Sequence, residues 1–195
     1  MNHFSTYDIL SLTTKLEKSL GDISEGEIQM FSYLACILSI LDGKSANTWG
    51  YSFIKNEFGS PYSEAINSSL ESLFTNNSLI LDSEYYKINE SSSLKLKILS
   101  KLGLYKSRET YLEIATNCIK FIPYSSVRKA LFCEPSLKIA IKNKNRRLLL
   151  DEESASIHLL YSQFEKLTKA LAGNYNNKVI PALVWMSYNT KTQLG

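Results

Sequence analysis

Residues 28–88 read IQMFSYLACILSILDGKSANTWGYSFIKNEFGSPYSEAINSSLESLFTNNSLILDSEYYKI. Ile28, Phe31, Leu34, Ala35, Leu38 and Leu41 recur at helical spacing and predict an apolar helix over Ile28–Asp42. Its near-continuous apolar side marks it as a central core helix. Ser24-Glu25-Gly26-Glu27, just before it, is a capping-box sequence, and Asp42-Gly43 supplies the stop. Trp49, Phe53 and Phe58, with Tyr51 beside them, fit a second helix over Thr48–Phe58 with an aromatic core side. Gly59-Ser60-Pro61 then reads as stop, cap and first helical residue. The third helix, over Pro61–Asn76, would bury Ile66, Leu70, Leu73 and Phe74. Asn76-Asn77 tolerates the left-handed backbone needed at its end. Leu79-Ile80-Leu81 and Tyr85-Tyr86-Lys87-Ile88 flank the polar turn Asp82-Ser83-Glu84 and predict a β-hairpin. Three helices followed by a hairpin is the sequence outline of a winged helix.

Before this stretch, Thr6 can cap a helix whose Ile9, Leu12, Leu16 and Leu20 share one face, with Gly21 as its stop. So narrow a stripe has to pack on its own domain or on a partner, and its own domain is the expectation. After residue 90 the pattern is helical again. A short helix over Leu94–Leu102 would stop at Gly103. Ser107 would cap the next, bearing Tyr111, Ile114, Ala115, Cys118 and Ile119, up to Pro123. Further helices are expected from Ser125 or Ser126, from Glu134-Pro135, and from Asp151, the last with His158, Tyr161, Phe164, Leu167 and Leu171 along its stripe. The expected fold is therefore mainly α. A winged-helix module (three helices plus a β-hairpin) lies within residues 1–90, and a helical C-terminal part follows over 91–195.

At 44% hydrophobic and 21% charged residues over 195 positions, the chain can bury a core without staples. Cys36, Cys118 and Cys133 show no metal-ligand spacing and sit among apolar residues, which predicts buried thiols and a reducing cytoplasm. The start Met-Asn-His-Phe-Ser-Thr lacks a secretory pattern. No apolar run approaches the ~20 residues that cross a bilayer.

Acid–base and triad chemistry needs a histidine near a carboxylate, and the chain holds only His3 and His158. His3 is terminal, and His158 is expected beside a helix stripe, partly buried or at a surface boundary. Glu152-Glu153 suits a helix N-terminus. No glycine-rich phosphate loop is present. The expectation is a protein that is not an enzyme, with no catalytic, cofactor or metal residues.

Charge decides how the winged helix would be used. A recognition helix offers Arg, Lys, Asn or Gln to bases and cations to phosphates. Residues 61–75 hold Glu64 and Glu71 and neither Lys nor Arg, and the hairpin turn adds Asp82 and Glu84. These four acids are the expected partner-docking residues. The net charge of +3 comes from the second half. There Lys138, Lys142, Lys144, Arg146 and Arg147 form a basic run, which Lys95, Lys97, Lys101, Lys106 and Arg108 could extend. Read blandly, the run is a solvated helix end. Read functionally, it is a patch for DNA or for an acidic effector.

Trp49-Gly50-Tyr51-Ser52-Phe53, Gly59-Ser60-Pro61-Tyr62, the hairpin, Ala130-Leu131 and Glu134-Pro135 together resemble the middle component of ABC-three-component (Lamassu-type) bacterial defence systems. The resemblance covers roughly residues 28–150 and rests on aromatic, turn and apolar positions. It implies a small accessory subunit of an SMC-like ATPase complex, acting against phage or plasmid DNA beside a nuclease-type effector. It further implies a kleisin-like role, in which the winged helix docks on an ATPase head and other helices bridge to a neighbour. The alternative expectation is a DNA-binding winged-helix transcriptional regulator.

Overall fold

In the computed structural model, which describes residues 2–143, 148–171 and 178–191, the second helix is the centre of the core. This helix, α2, spans Glu25–Leu41, and every residue from Ile28 to Ile40 is buried. The capping box forms, with the Ser24 backbone N–H donating to the Glu27 carboxylate at 2.9 Å. α1 (His3–Leu20) packs against α2 and buries Ile9, Leu12 and Leu16 within the same domain. Its cap is Asn2 rather than Thr6. The Asn2 side-chain oxygen accepts from the backbone N–H of Phe4 at 2.9 Å and of Ser5 at 3.2 Å, so the helix starts four residues earlier. Thr6 is inside the helix, and its hydroxyl donates back to the Asn2 carbonyl at 2.9 Å.

The stretch 48–58 is not a helix. A 3-10 turn covers Ala46–Trp49, and Gly50 at φ +89° ends it. Two strands follow, β1 (Phe53–Lys55) and β2 (Pro61–Tyr62). They pair antiparallel, with Ile54 opposite Tyr62 and Lys55 opposite Pro61. The spacing of Trp49, Phe53 and Phe58 misleads because aromatic and β-branched residues also suit strands. The far edge of β1 is taken by β5 (Leu148–Leu149), which local sequence could not announce. Trp49 and Phe53 are core residues, whereas Phe58 is 82% exposed at the turn. Gly59, at φ +81°, belongs to that turn. Pro61 lies in β2, an edge strand, where its missing N–H leaves no ladder bond unmade.

α3 therefore begins later than expected, at Glu64 after Ser63, and runs to Thr75. Ser63 is fixed from α2: its N–H donates to the Gln29 side chain at 2.8 Å, and Gln29 donates back to the Ser63 carbonyl at 3.3 Å. Ile66, Leu70 and Leu73 point inward, and Phe74 is half exposed. Asn77 takes the left-handed conformation, at φ +56°. The hairpin forms as expected, β3 (Leu79–Asp82) with β4 (Tyr85–Ile88), in register from Leu79–Ile88 to Asp82–Tyr85. The fold is mainly α, with three helices ahead of a β-hairpin. One of the three helices expected over residues 28–76 is replaced by the β1–β2 pair, so the winged-helix outline stands with α1 as its first helix, followed by α2 and α3.

α4 (Glu90–Leu99) is capped by Asn89, and Gly103 opens α5 (Gly103–Asn117) rather than closing the helix before it. α6 (Tyr124–Phe132), α7 (Pro135–Lys142), α8 (Ala155–Ala170) and α9 (Val179–Lys191) follow. Ser154, not Asp151, caps α8, its hydroxyl accepting from the Ile157 N–H at 3.3 Å. α5 packs on both α1 and α2, so one hydrophobic core runs from Tyr7 in α1 to Met186 in α9. No described helix is long and apolar enough to cross a membrane.

Candidate docking site

Glu64 and Glu71 are both exposed and stand two helical turns apart on α3, which puts them on one side of it. The Tyr62 hydroxyl donates to Glu64 at 3.0 Å, and the Asn67 side-chain amide donates to Glu71 at 3.0 Å. At the hairpin tip Asp82 and Glu84 are exposed too, Asp82 within 3.2 Å of the Lys87 ammonium. Phe74, Ile80 and Leu81, from the same helix and hairpin, are also solvent-exposed. Acid beside exposed apolar residues complements a basic protein surface and repels a phosphate backbone.

The Tyr86 N–H donates to the Ile23 carbonyl at 2.7 Å and ties the hairpin to the start of α2. Burial raises the Tyr86 phenol above its usual pKa, and the charges of Glu25 and Glu71 raise it further, so both carboxylates act on one side chain.

The basic residues separate. Lys138 and Lys142 are exposed on α7. Lys144, Arg146 and Arg147 lie outside the described residues. Lys95, Lys97, Lys101 and Lys106 are exposed on and just after α4. Arg108 does not join them. It is 5% exposed and points into the core, with Nε and Nη2 each 2.5 Å from the Asp8 carboxylate. Its Nη1 donates to the Trp49 carbonyl at 2.6 Å, and the guanidinium lies 3.7 Å from the centre of the Trp49 ring. The Tyr51 hydroxyl donates to the same Asp8 carboxylate. Next to it Glu109 accepts from Tyr7 at 2.7 Å and Ser11 at 2.8 Å, and pairs with Lys15 at 2.8 Å. Burial alone would raise the Glu109 pKa; the bonds from Lys15, Tyr7 and Ser11 outweigh it and leave the carboxyl below its usual value.

A cleft of about 420 Å³ opens beside Arg108, lined by Lys44, Thr48, Trp49, Ser107 and Tyr111 among others. A second, of about 540 Å³, opens between the start of α2, the β1–β2 turn and α6. Neither histidine lines either cleft. His158 is exposed on α8. The three cysteines are buried and unpaired; burial raises the Cys118 thiol to about 12. Comparison with protein-family models, curated proteins and solved structures finds no match to this chain.

Proposed function

We propose that this protein is a non-enzymatic scaffold subunit that docks on a basic protein surface through α3 and the β3–β4 hairpin. The observation that carries the reading is the exposure of Glu64, Glu71, Asp82 and Glu84 on a unit whose helix holds no cation. The sequence resemblance supplies the partner class: an SMC-like ATPase, with a nuclease-type effector beside it and a kleisin-like bridging role. The complex would act against phage or plasmid DNA in the cytoplasm. DNA would then be met indirectly, or through Lys138 and Lys142 and the basic run beyond them.

The test is co-purification of the full chain with an SMC-like ATPase encoded beside it, using wild type and a Glu64→Lys/Glu71→Lys variant. Wild type is expected to elute with the ATPase, and the variant alone. A variant that gains duplex DNA binding, from a wild type that already binds DNA and ignores the ATPase, identifies a regulator instead.

A further inference from the structure

α4 buries one side and exposes an ordered pattern on the other. Leu96 and Leu99 pack on the core and Ser92 is buried, whereas Leu94 is 61% and Ile98 66% exposed. Leu94 and Ile98 are four residues apart, so they form one line along the helix. Leu102 and Leu104 continue the exposed apolar surface through the turn into α5. Lys97 and Lys101 run along one side of this line at the same spacing, and Lys95 stands on the other side. From residue 90 to 106 the only acid is Glu90, against Lys95, Lys97, Lys101 and Lys106. An apolar line edged on both sides by lysine is half of a helix–helix seam whose other half carries carboxylates at its flanks.

We infer that the exposed ridge of α4 is a docking surface for an amphipathic helix of a partner protein, one whose apolar seam is flanked by aspartate or glutamate. The inference stands on α4 alone and does not require the acidic face of α3 to bind anything. Charge complementarity selects the occupant. Nucleic acid would use the lysines and leave Leu94 and Ile98 in water, since phosphate contacts need cations only. A bilayer surface would want a longer apolar face with bulky anchors, and α4, at about 15 Å long, offers two aliphatic side chains and no aromatic one. A helical seam of two or three turns matches both the length and the chemistry.

The experiment uses the full chain and a labelled three-heptad helical peptide with Leu at the seam and Glu at the flanking positions, followed by fluorescence anisotropy. A peptide with Lys at those flanks is the comparator. The Glu-flanked peptide is expected to bind at least about tenfold more tightly. Ile98→Asp should abolish binding while the urea midpoint stays at the wild-type value. The Lys95→Glu/Lys97→Glu/Lys101→Glu variant should prefer the Lys-flanked peptide. Failure of the Glu-flanked peptide to bind, equal binding of both, or binding that survives Ile98→Asp overturns the inference. So does binding of phosphatidylserine vesicles or of a DNA duplex that the triple variant loses while the Glu-flanked peptide stays unbound.

Discussion

The guanidinium of Arg108 and the carboxylate of Asp8, a hundred residues apart, meet in the core in a two-bond pair at 2.5 Å, with Asp8 fully buried. Breaking one side of such a pair strands the other charge. Arg108→Met is expected to cost about 3–5 kcal/mol, read as a drop in the urea midpoint. The Asp8→Leu/Arg108→Met double variant removes both charges and should recover much of that loss. A double variant as unstable as the single one would show that packing around Trp49, not the charge pair, sets the cost.

Glu109 gives the acid side of the stability profile. Its folded pKa lies below the usual value, so its contribution is present above the unfolded value of about 4.3 and is lost as pH falls through the folded one. Chemical denaturation between neutral pH and pH 3 should show stability declining over that window. Glu109→Gln should flatten the decline. An unchanged slope would assign it to other carboxylates.

Two glycines with positive φ should respond differently. Gly21 and Gly50 have φ of +82° and +89°. A methyl group at Gly21 meets nothing, whereas one at Gly50 runs into the Phe4 ring. Gly21, at ψ −109°, lies outside the left-handed region, and Gly21→Ala is expected to cost about 1–3 kcal/mol from its backbone alone. Gly50, at ψ −3°, is left-handed; Gly50→Ala should combine about 1–2 kcal/mol for that conformation with about 1–3 kcal/mol for the collision.

The strand assignment for residues 53–55 can be checked through a pair of phenylalanines. Phe53 is 2% exposed and Phe58 is 82% exposed. Phe53→Ala should cost about 3–5 kcal/mol, and Phe58→Ala about 0.5 kcal/mol or less. Similar losses at both positions would favour one aromatic helix face.

The acidic docking face should be separable from stability. Glu64→Lys/Glu71→Lys alters only exposed positions on α3, so its thermal midpoint should match wild type, with a difference of about 0.5 kcal/mol or less. Loss of partner binding can then be read as loss of the surface.

Much of the fold was legible because it is written locally. The capping box before α2, the apolar side of α2 and the Asp82–Glu84 turn are all short-range signals, and each is met. The errors at 48–63 share one cause. Trp49, Tyr51, Phe53 and Phe58 suit a helix face or a strand equally by spacing, and the deciding contact is β1 with Leu148–Leu149, far along the chain. Arg108 was misplaced for the same reason. A lysine-rich neighbourhood made it look like surface, and its partner is near the N-terminus. The exposure of Glu64, Glu71, Asp82 and Glu84 followed from the helix and turn pattern. The tie of the hairpin to the start of α2 did not, because Ile23 and Tyr86 meet only in the folded chain.

The pairing of β1 with β5 also sets a timetable. Leu149 lies opposite Phe53, and about a hundred residues emerge from the ribosome between them. The small sheet that seats Trp49 and Phe53 cannot be completed while the chain is still short, and closing so long a loop is slow. Until then the nascent N-terminal part presents an open strand edge beside uncovered aromatic rings, a period in which a chaperone or an early-arriving partner has most to offer it.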